Sequence, residues 1–228
     1  MKKTIFLFTF IAFNLMLVSS CKKDSSTTTQ STTPTVANGT LTDSRDNKTY
    51  KVVKVGTQVW MAENLNYTTS TGSWCYNNDV NNCAVYGRLY DWPTAMQGAS
   101  SSNSSPSGVK GICPDGWHLP SDAEWLILAS YLGGDSIAGA KMKETGTAHW
   151  VAPNSGADNS SKMTVLGSGF RTPDEVFTWL TYGANFWSSS ELSSQNAYQR
   201  YIRYDAPNYL NKSAVSKTYG LSVRCVKD

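Results

Sequence analysis

The chain has 228 residues, of which 20 are Lys or Arg and 17 Asp or Glu, for a formal net charge of +3. Removing Lys2 and Lys3 from the 20 basic side chains leaves 18 against 17 acidic ones, so the remainder is close to neutral. Neither that balance nor any basic run interleaved with aromatics reads as an electrostatic footprint for nucleic acid, and none is expected as a partner.

The first residues read as an export signal. Lys2 and Lys3 precede an apolar run, residues 5–18, interrupted only by Thr9 and Asn14. About fourteen residues fall short of a bilayer of roughly 30 Å. The run ends Val18-Ser19-Ser20-Cys21, which resembles a bacterial lipobox, where small residues precede a cysteine that is acylated and becomes the mature N-terminus. An ordinary secretory signal with an incidental cysteine is the plainer alternative. Acylation at Cys21 implies a membrane anchor, since each buried methylene contributes about 0.8 kcal/mol. Lys22 is not the aspartate of an inner-membrane retention signal, so an outer-membrane lipoprotein, periplasmic or surface-exposed, is expected. Residues 24–38 are Ser/Thr-rich and lack aromatics, the composition of a disordered tether. The expected division is residues 1–20 as signal peptide, 21–40 as lipidated linker and 41–228 as one domain. That leaves enough chain for a single core.

Within the domain, residues 50–55 and 58–61 flank Gly56-Thr57, a two-residue hairpin signal with Gly first. Farther on, Ser121 and Glu124 form a capping box behind the extended entry Trp117-His118-Leu119-Pro120. Trp125, Leu128, Ala129 and Leu132 then fall on one helical face, and Gly133-Gly134 stops the helix. Asp135 or Ser136 is expected to cap a second helix running to about Glu144, with Ile137, Ala140 and Lys141 on one side. Residues 98–108 and 153–161 read as loops. Residues 196–204 and the ending Gly220-Leu221-Ser222-Val223-Arg224-Cys225 alternate as strands, the last with Leu221, Val223 and Cys225 on its buried side. Two helices, several short antiparallel strands and long loops make an α+β domain. Besides Cys21 four cysteines remain, Cys75, Cys83, Cys113 and Cys225, and an even count in an exported chain favours disulfides, with three connectivities open.

Gly116-Trp117-His118-Leu119-Pro120-Ser121-Asp122-Ala123-Glu124-Trp125 with the closing Arg224-Cys225 strand resembles the formylglycine-generating-enzyme branch of the C-type-lectin-like superfamily. Residues 55–67, 86–92 and 186–190 resemble more closely the Fibrobacter succinogenes major paralogous domain. The resemblance implies a C-type-lectin-like fold with two helices, short antiparallel strands and long loops. It also implies the bridge Cys113–Cys225, which leaves Cys75–Cys83 around a polar Asn-rich loop.

An oxidase mechanism of the formylglycine type needs a pair of thiols upstream of the closing strand, and residues 198–219 contain none. No catalytic residue, metal site or cofactor is therefore assigned. His118 sits inside the helix entry, where packing or capping is the expected role. Ser188-Ser189-Ser190 reads as a polar turn, and Asn77-Asn78-Asp79 with Asn81-Asn82 as a solvated turn rather than a calcium site. The expected function is non-catalytic recognition of carbohydrate or protein. The alternatives are a diverged enzyme of that fold, a glycan hydrolase, or a structural envelope component. Trp60, Trp117, Trp125 and Trp187 are expected in the core. The ligand surface is expected within residues 145–187, where Trp150, Trp179 and Tyr182 are the binding candidates.

Overall fold

A computed structural model describes residue 1, residues 38–206 and residues 208–228. The expected signal peptide, Cys21 and most of the tether lie outside the described residues. Among the described residues no helix is long and apolar enough to cross a membrane.

The chain opens with β1 (Asn38–Thr42), β2 (Thr49–Val55) and β3 (Gln58–Met61), so ordered structure begins inside the stretch read as the end of the tether. Gly56 takes φ 61° in the β2–β3 hairpin, and a Cβ there would come within 2.9 Å of the Tyr131 ring. Only glycine meets both demands. Next come β4 (Ser73–Trp74), a 3-10 turn (Tyr76–Asn78), α1 (Val80–Tyr86), β5 (Leu89–Tyr90) and α2 (Trp92–Met96). Asp79 caps α1 and Asp91 caps α2, each carboxylate accepting a first-turn N–H.

A long connection leads to β6 (Trp117–His118), α3 (Asp122–Tyr131) and α4 (Asp135–Met142). The capping box at α3 is fully formed, and Trp125, Leu128, Ala129 and Leu132 are buried as their spacing predicts. Helix α4 is shorter than expected and starts from Gly134 without a side-chain cap. Its buried positions are Ala138, Gly139, Ala140 and Met142, whereas Ile137 is exposed. At Gly139 a Cβ would meet the Tyr209 carbonyl oxygen at 2.3 Å, so the helix packs backbone against backbone there. Arg200 ties both helix starts to the sheet, donating to Asp122 at 2.7 Å and Asp135 at 3.0 Å.

The rest is strand and loop: β7 (Ser168–Arg171), β8 (Phe177–Leu180), β9 (Gly183–Glu191), β10 (Asn196–Arg203), β11 (Asn211–Ser216), β12 (Leu221–Ser222) and β13 (Val226–Lys227). One sheet has the order β1-β2-β3-β13-β6, and the other β11-β10-β9-β12-β5-β4 with β7 and β8 branching from β9. Trp60, Trp125 and Phe186 stack in one apolar cluster, with ring centroids 4.5 and 5.5 Å apart. Tyr90, Trp187, Leu119 and the Cys113–Cys225 bridge occupy a second. Both expected disulfides are present, with Cα atoms 4.9 Å apart at Cys75–Cys83 and 5.9 Å at Cys113–Cys225.

The architecture corrects the expected α+β, lectin-like class. Among the described residues strand accounts for 31% and helix for 17%, in two curled sheets with four short α-helices. Two physical causes hid the strands. The whole of β9 except Glu191 is buried, on both faces, so it shows none of the alternation that marks a half-exposed strand. Several others are only two residues long and exist through partners distant in sequence. The ending is also corrected: Ser222, Arg224 and Val226, read as the outer face, are as buried as Leu221, Val223 and Cys225. The segment passes from one sheet to the other between β12 and β13, so neither side meets water.

Candidate functional site: an aromatic turn and a basic cleft

Residues 179–182 make a tight turn between β8 and β9, closed by Tyr182 N–H donating to the Trp179 carbonyl at 2.9 Å. Trp179 has φ 67° and Thr181 φ 64°, conformations that bulky and β-branched residues rarely hold. The indole fits because residue 183 is glycine: a Cβ there would lie 2.7 Å from a ring carbon. Arg203 lies over the ring at 5.2 Å, and Phe170 flanks it at 6.0 Å. Two hydrogen bonds to Asp205, at 2.9 and 2.8 Å, hold that guanidinium and keep the Asp205 carboxyl below its usual range. Tyr182 packs edge-on against Tyr204 at 5.2 Å. After this packing Trp179 is still 37% exposed and Tyr182 47%.

Trp150 belongs elsewhere. It is 1% exposed, and its indole N–H donates to the Val165 carbonyl at 2.9 Å. It therefore has no ring face to offer a ligand, and its expected surface role is corrected to a core one. Polar neighbours misled the sequence reading: Asn154 turns inward instead, donating to the carbonyls of Glu144 and Gly146. Beside Trp150 the Lys143 ammonium is also buried, bonded to the Ser155 carbonyl at 2.7 Å, and desolvation lowers its pKa to about 8.

His118 is held between Glu124 and Asp228, at 2.7 Å from each carboxylate. Burial pulls its pKa down, but those two hydrogen bonds outweigh it and leave it raised. The other Glu124 oxygen accepts the N–H groups of Ser121 and Ser107. The imidazole thus locks the start of α3. Ser188, Ser189 and Ser190 are buried, and their hydroxyls donate chiefly to backbone carbonyls in the strand and in residues 101–103. Asp79 and Asn82 serve their own turn: an Asp79 oxygen accepts the Asn81 N–H, and the Asn82 amide donates to the Tyr76 carbonyl. Among the described residues no group of three His, Cys, Asp or Glu side chains is arranged to hold a metal.

Sequence reasoning missed a cleft of about 810 Å³ between β2, residues 62–66, α1 and residues 162–166. Arg224 lies at its floor, 1% exposed, donating to the Asn64 side chain at 2.8 Å and to the Met163 carbonyl at 2.6 Å. Desolvation lowers its pKa to about 9. Glu63 and Glu144 line the walls, but each has a partner: Glu63 accepts the Lys51 N–H at 2.7 Å, and Glu144 holds His149 at 2.9 Å. Lys162 lines the same cleft with φ 61°, two residues before Thr164 at φ 47°. The Arg224 side of the closing strand was legible only as alternation, and nothing in the local sequence marks Lys162 as its neighbour.

No curated protein and no solved structure matches the chain. A family model, described as Fibrobacter succinogenes major domain, matches residues 53–227. That span begins within β2 and takes in the β2–β3 turn, both disulfides, the aromatic turn and every later strand of the two sheets. The chain therefore belongs to the Fibrobacter succinogenes major domain family.

Proposed function

We propose that this domain is a non-catalytic recognition module for carbohydrate, carried on the outer membrane by acylated Cys21 and a Ser/Thr-rich tether. The observation supporting it is the aromatic turn. Trp179 and Tyr182 stay exposed although one is held in a strained backbone conformation, and such strain persists where the surroundings impose it, often at ligand sites. A sugar ring has an apolar face that stacks on an indole and a polar rim that Arg203 and Asp205 can meet. Aromatic anchors of this kind commonly carry most of the binding energy. The lipid tether gives such a module reach without a membrane span.

Two measurements test the reading. A glycan array probed with the purified chain should give binding that Trp179→Ala and Tyr182→Ala abolish without loss of cooperative melting. Array signals that survive both substitutions would remove the aromatic turn from the argument. Acyl labelling should be lost in Cys21→Ala, and finding wild-type chain free of membranes would end the anchor reading.

A further inference from the structure

Helix α3 is apolar on both sides. Trp125, Leu128, Ala129 and Leu132 face the core, while Leu126, Ile127 and Tyr131 stay 49%, 41% and 44% exposed on the other side. Positions 126, 127, 130 and 131 are one step and one turn apart, so they form a single outward strip. Ile137, 43% exposed, extends that strip. The chain turns at Gly133, whose N–H donates to the Ser130 carbonyl, and the Ile137 side chain lies 3.6 Å from where a Gly133 Cβ would stand. A helix that is apolar all round is normally covered on both sides. Contiguous exposed apolar surface marks a docking face for a protein or a membrane.

Two observations favour the membrane. The first is where the chain enters the domain. Asn38, the first residue of β1, pairs with Val53, three residues before Gly56, and a Cβ at Gly56 would come within 2.9 Å of the Tyr131 ring. Strand spacings put the entry point roughly 15 Å from the strip. Residues 22–37 can span at most about 55 Å, so an acylated Cys21 keeps this end of the domain close to the bilayer. The second observation is charge. The carboxylates of α3 and α4 are all engaged, Asp122 and Asp135 by Arg200 and Glu124 by His118. The Lys141 ammonium lies beside Ile137, 3.7 Å from the same Gly133 point. The strip therefore meets phosphate headgroups with an ammonium, while the acids of both helices are paired elsewhere.

From this placement we propose that the outer strip of α3, with Ile137 of α4, is a membrane-docking surface that rests on the leaflet holding the acyl chains. Leu126 and Ile127 enter the boundary between headgroups and acyl chains, and Tyr131 stands at that boundary with an apolar ring and a polar tip. The inference rests on the lipid-anchor reading of Cys21 and adds a non-covalent contact to it. The contact can be weak on its own, because the tether makes it intramolecular. Its effect is to fix which side of the domain faces the bilayer.

The test uses the acylated full-length mature chain, carrying Ser130→Cys labelled with nitrobenzoxadiazole, in vesicles of phosphatidylethanolamine and phosphatidylglycerol. Thr71→Cys, at the far edge of the second sheet beside β4, is the control. The label at 130 is expected to emit further to the blue and to be quenched by nitroxide lipids at least about threefold more than the label at 71. Adding Leu126→Glu with Ile127→Glu should erase that difference while the chain still floats with the vesicles. Should the double variant fail to melt cooperatively, the comparison of positions 130 and 71 carries the test. A floating chain with equal quenching at both positions would overturn the proposal and leave the anchor standing. Wild-type chain that does not float would end the anchor reading and this one with it. A label at 130 shielded from water but not quenched by lipid, with unlabelled Ser130→Cys chains cross-linking in pairs, would put a second copy on the face and overturn the proposal.

Discussion

Residues 143–167 and residues 168–182 follow one another, both mix aromatic with polar side chains, and they are folded in opposite senses. The first stretch has almost no regular structure, yet it turns its largest groups inward: Lys143, Trp150, Met163 and Val165 are all buried. The second forms the β7–β8 hairpin and turns Val176, Trp179 and Tyr182 to solvent. Irregular backbone is thus no sign of a surface, nor is a strand a sign of core. What separates the two is where backbone polar groups find partners. In the first stretch side chains and core carbonyls supply them, as when Asn154 serves Glu144 and Gly146 or Lys143 serves Ser155. In the second the hairpin ladder satisfies the backbone, and the side chains are free to face outward.

The comparison can be set on a scale by the disulfides, which bracket neither stretch alone. Breaking Cys113–Cys225, which closes a separation of 112 residues, is expected to cost about 4–5 kcal/mol, and breaking Cys75–Cys83, with a separation of 8, about 2.5 kcal/mol. Urea denaturation of the two Cys→Ser pairs reads the difference directly. Within the inward stretch, Trp150→Ala should cost about 3–5 kcal/mol, the range for emptying a large buried site. A loss below about 1 kcal/mol there would mean the two stretches differ less than their burial implies.

Lys143 gives a sharper test through pH. In the unfolded chain it stays protonated up to its usual 10.5, but in the folded state only up to about 8. Between those values the unfolded chain binds more protons, so stability should rise with pH, by roughly 1–3 kcal/mol. Arg224, lowered to about 9, adds in the same direction. Tyr50, raised to about 12 chiefly by burial, opposes the rise above pH 10, because its unfolded form ionises first. His118 acts oppositely at lower pH: its contribution is complete below 6.5 and is lost as pH climbs through its raised value. Denaturation curves of wild type and Lys143→Met from pH 7 to 10 should therefore diverge at pH 7 and converge near 10. Parallel curves would show the ammonium is not buried. The smallest effect belongs to the outward hairpin, where Trp179→Ala should change stability by less than about 1 kcal/mol.

Legibility in the sequence tracked how local each structure is. The capping box, the α3 face and the Gly56 hairpin are set by residues within a few positions of one another, and all were readable. Pairings such as Tyr90 with Leu221 or His118 with Val226 join residues more than a hundred positions apart and leave no periodic trace. The exposure of Trp179 and Tyr182 was readable because both stand next to polar turn sequence. Trp150 was misread because its neighbours' polarity is spent on hydrogen bonds inside the fold. The cleft lined by Arg224 and Lys162 was invisible, since residues so far apart in sequence come to one cavity only in the folded chain.

The position of β13 has a consequence for the order of assembly. Strands β3 and β6 are neighbours only through Val226, which pairs with Trp60 on one side and His118 on the other. Until residues 225–227 have been synthesised, the first sheet has a gap at its centre and Cys113 has no partner. Without those residues the hairpin can pack on α3 through Trp60 and Trp125, but β3 and β6 have no strand to join them. Completion of the first sheet therefore waits on β13, and contacts so far apart in sequence make it slow. A chain shortened by its final four residues should remain open to protease even though it retains nearly every residue of the interior.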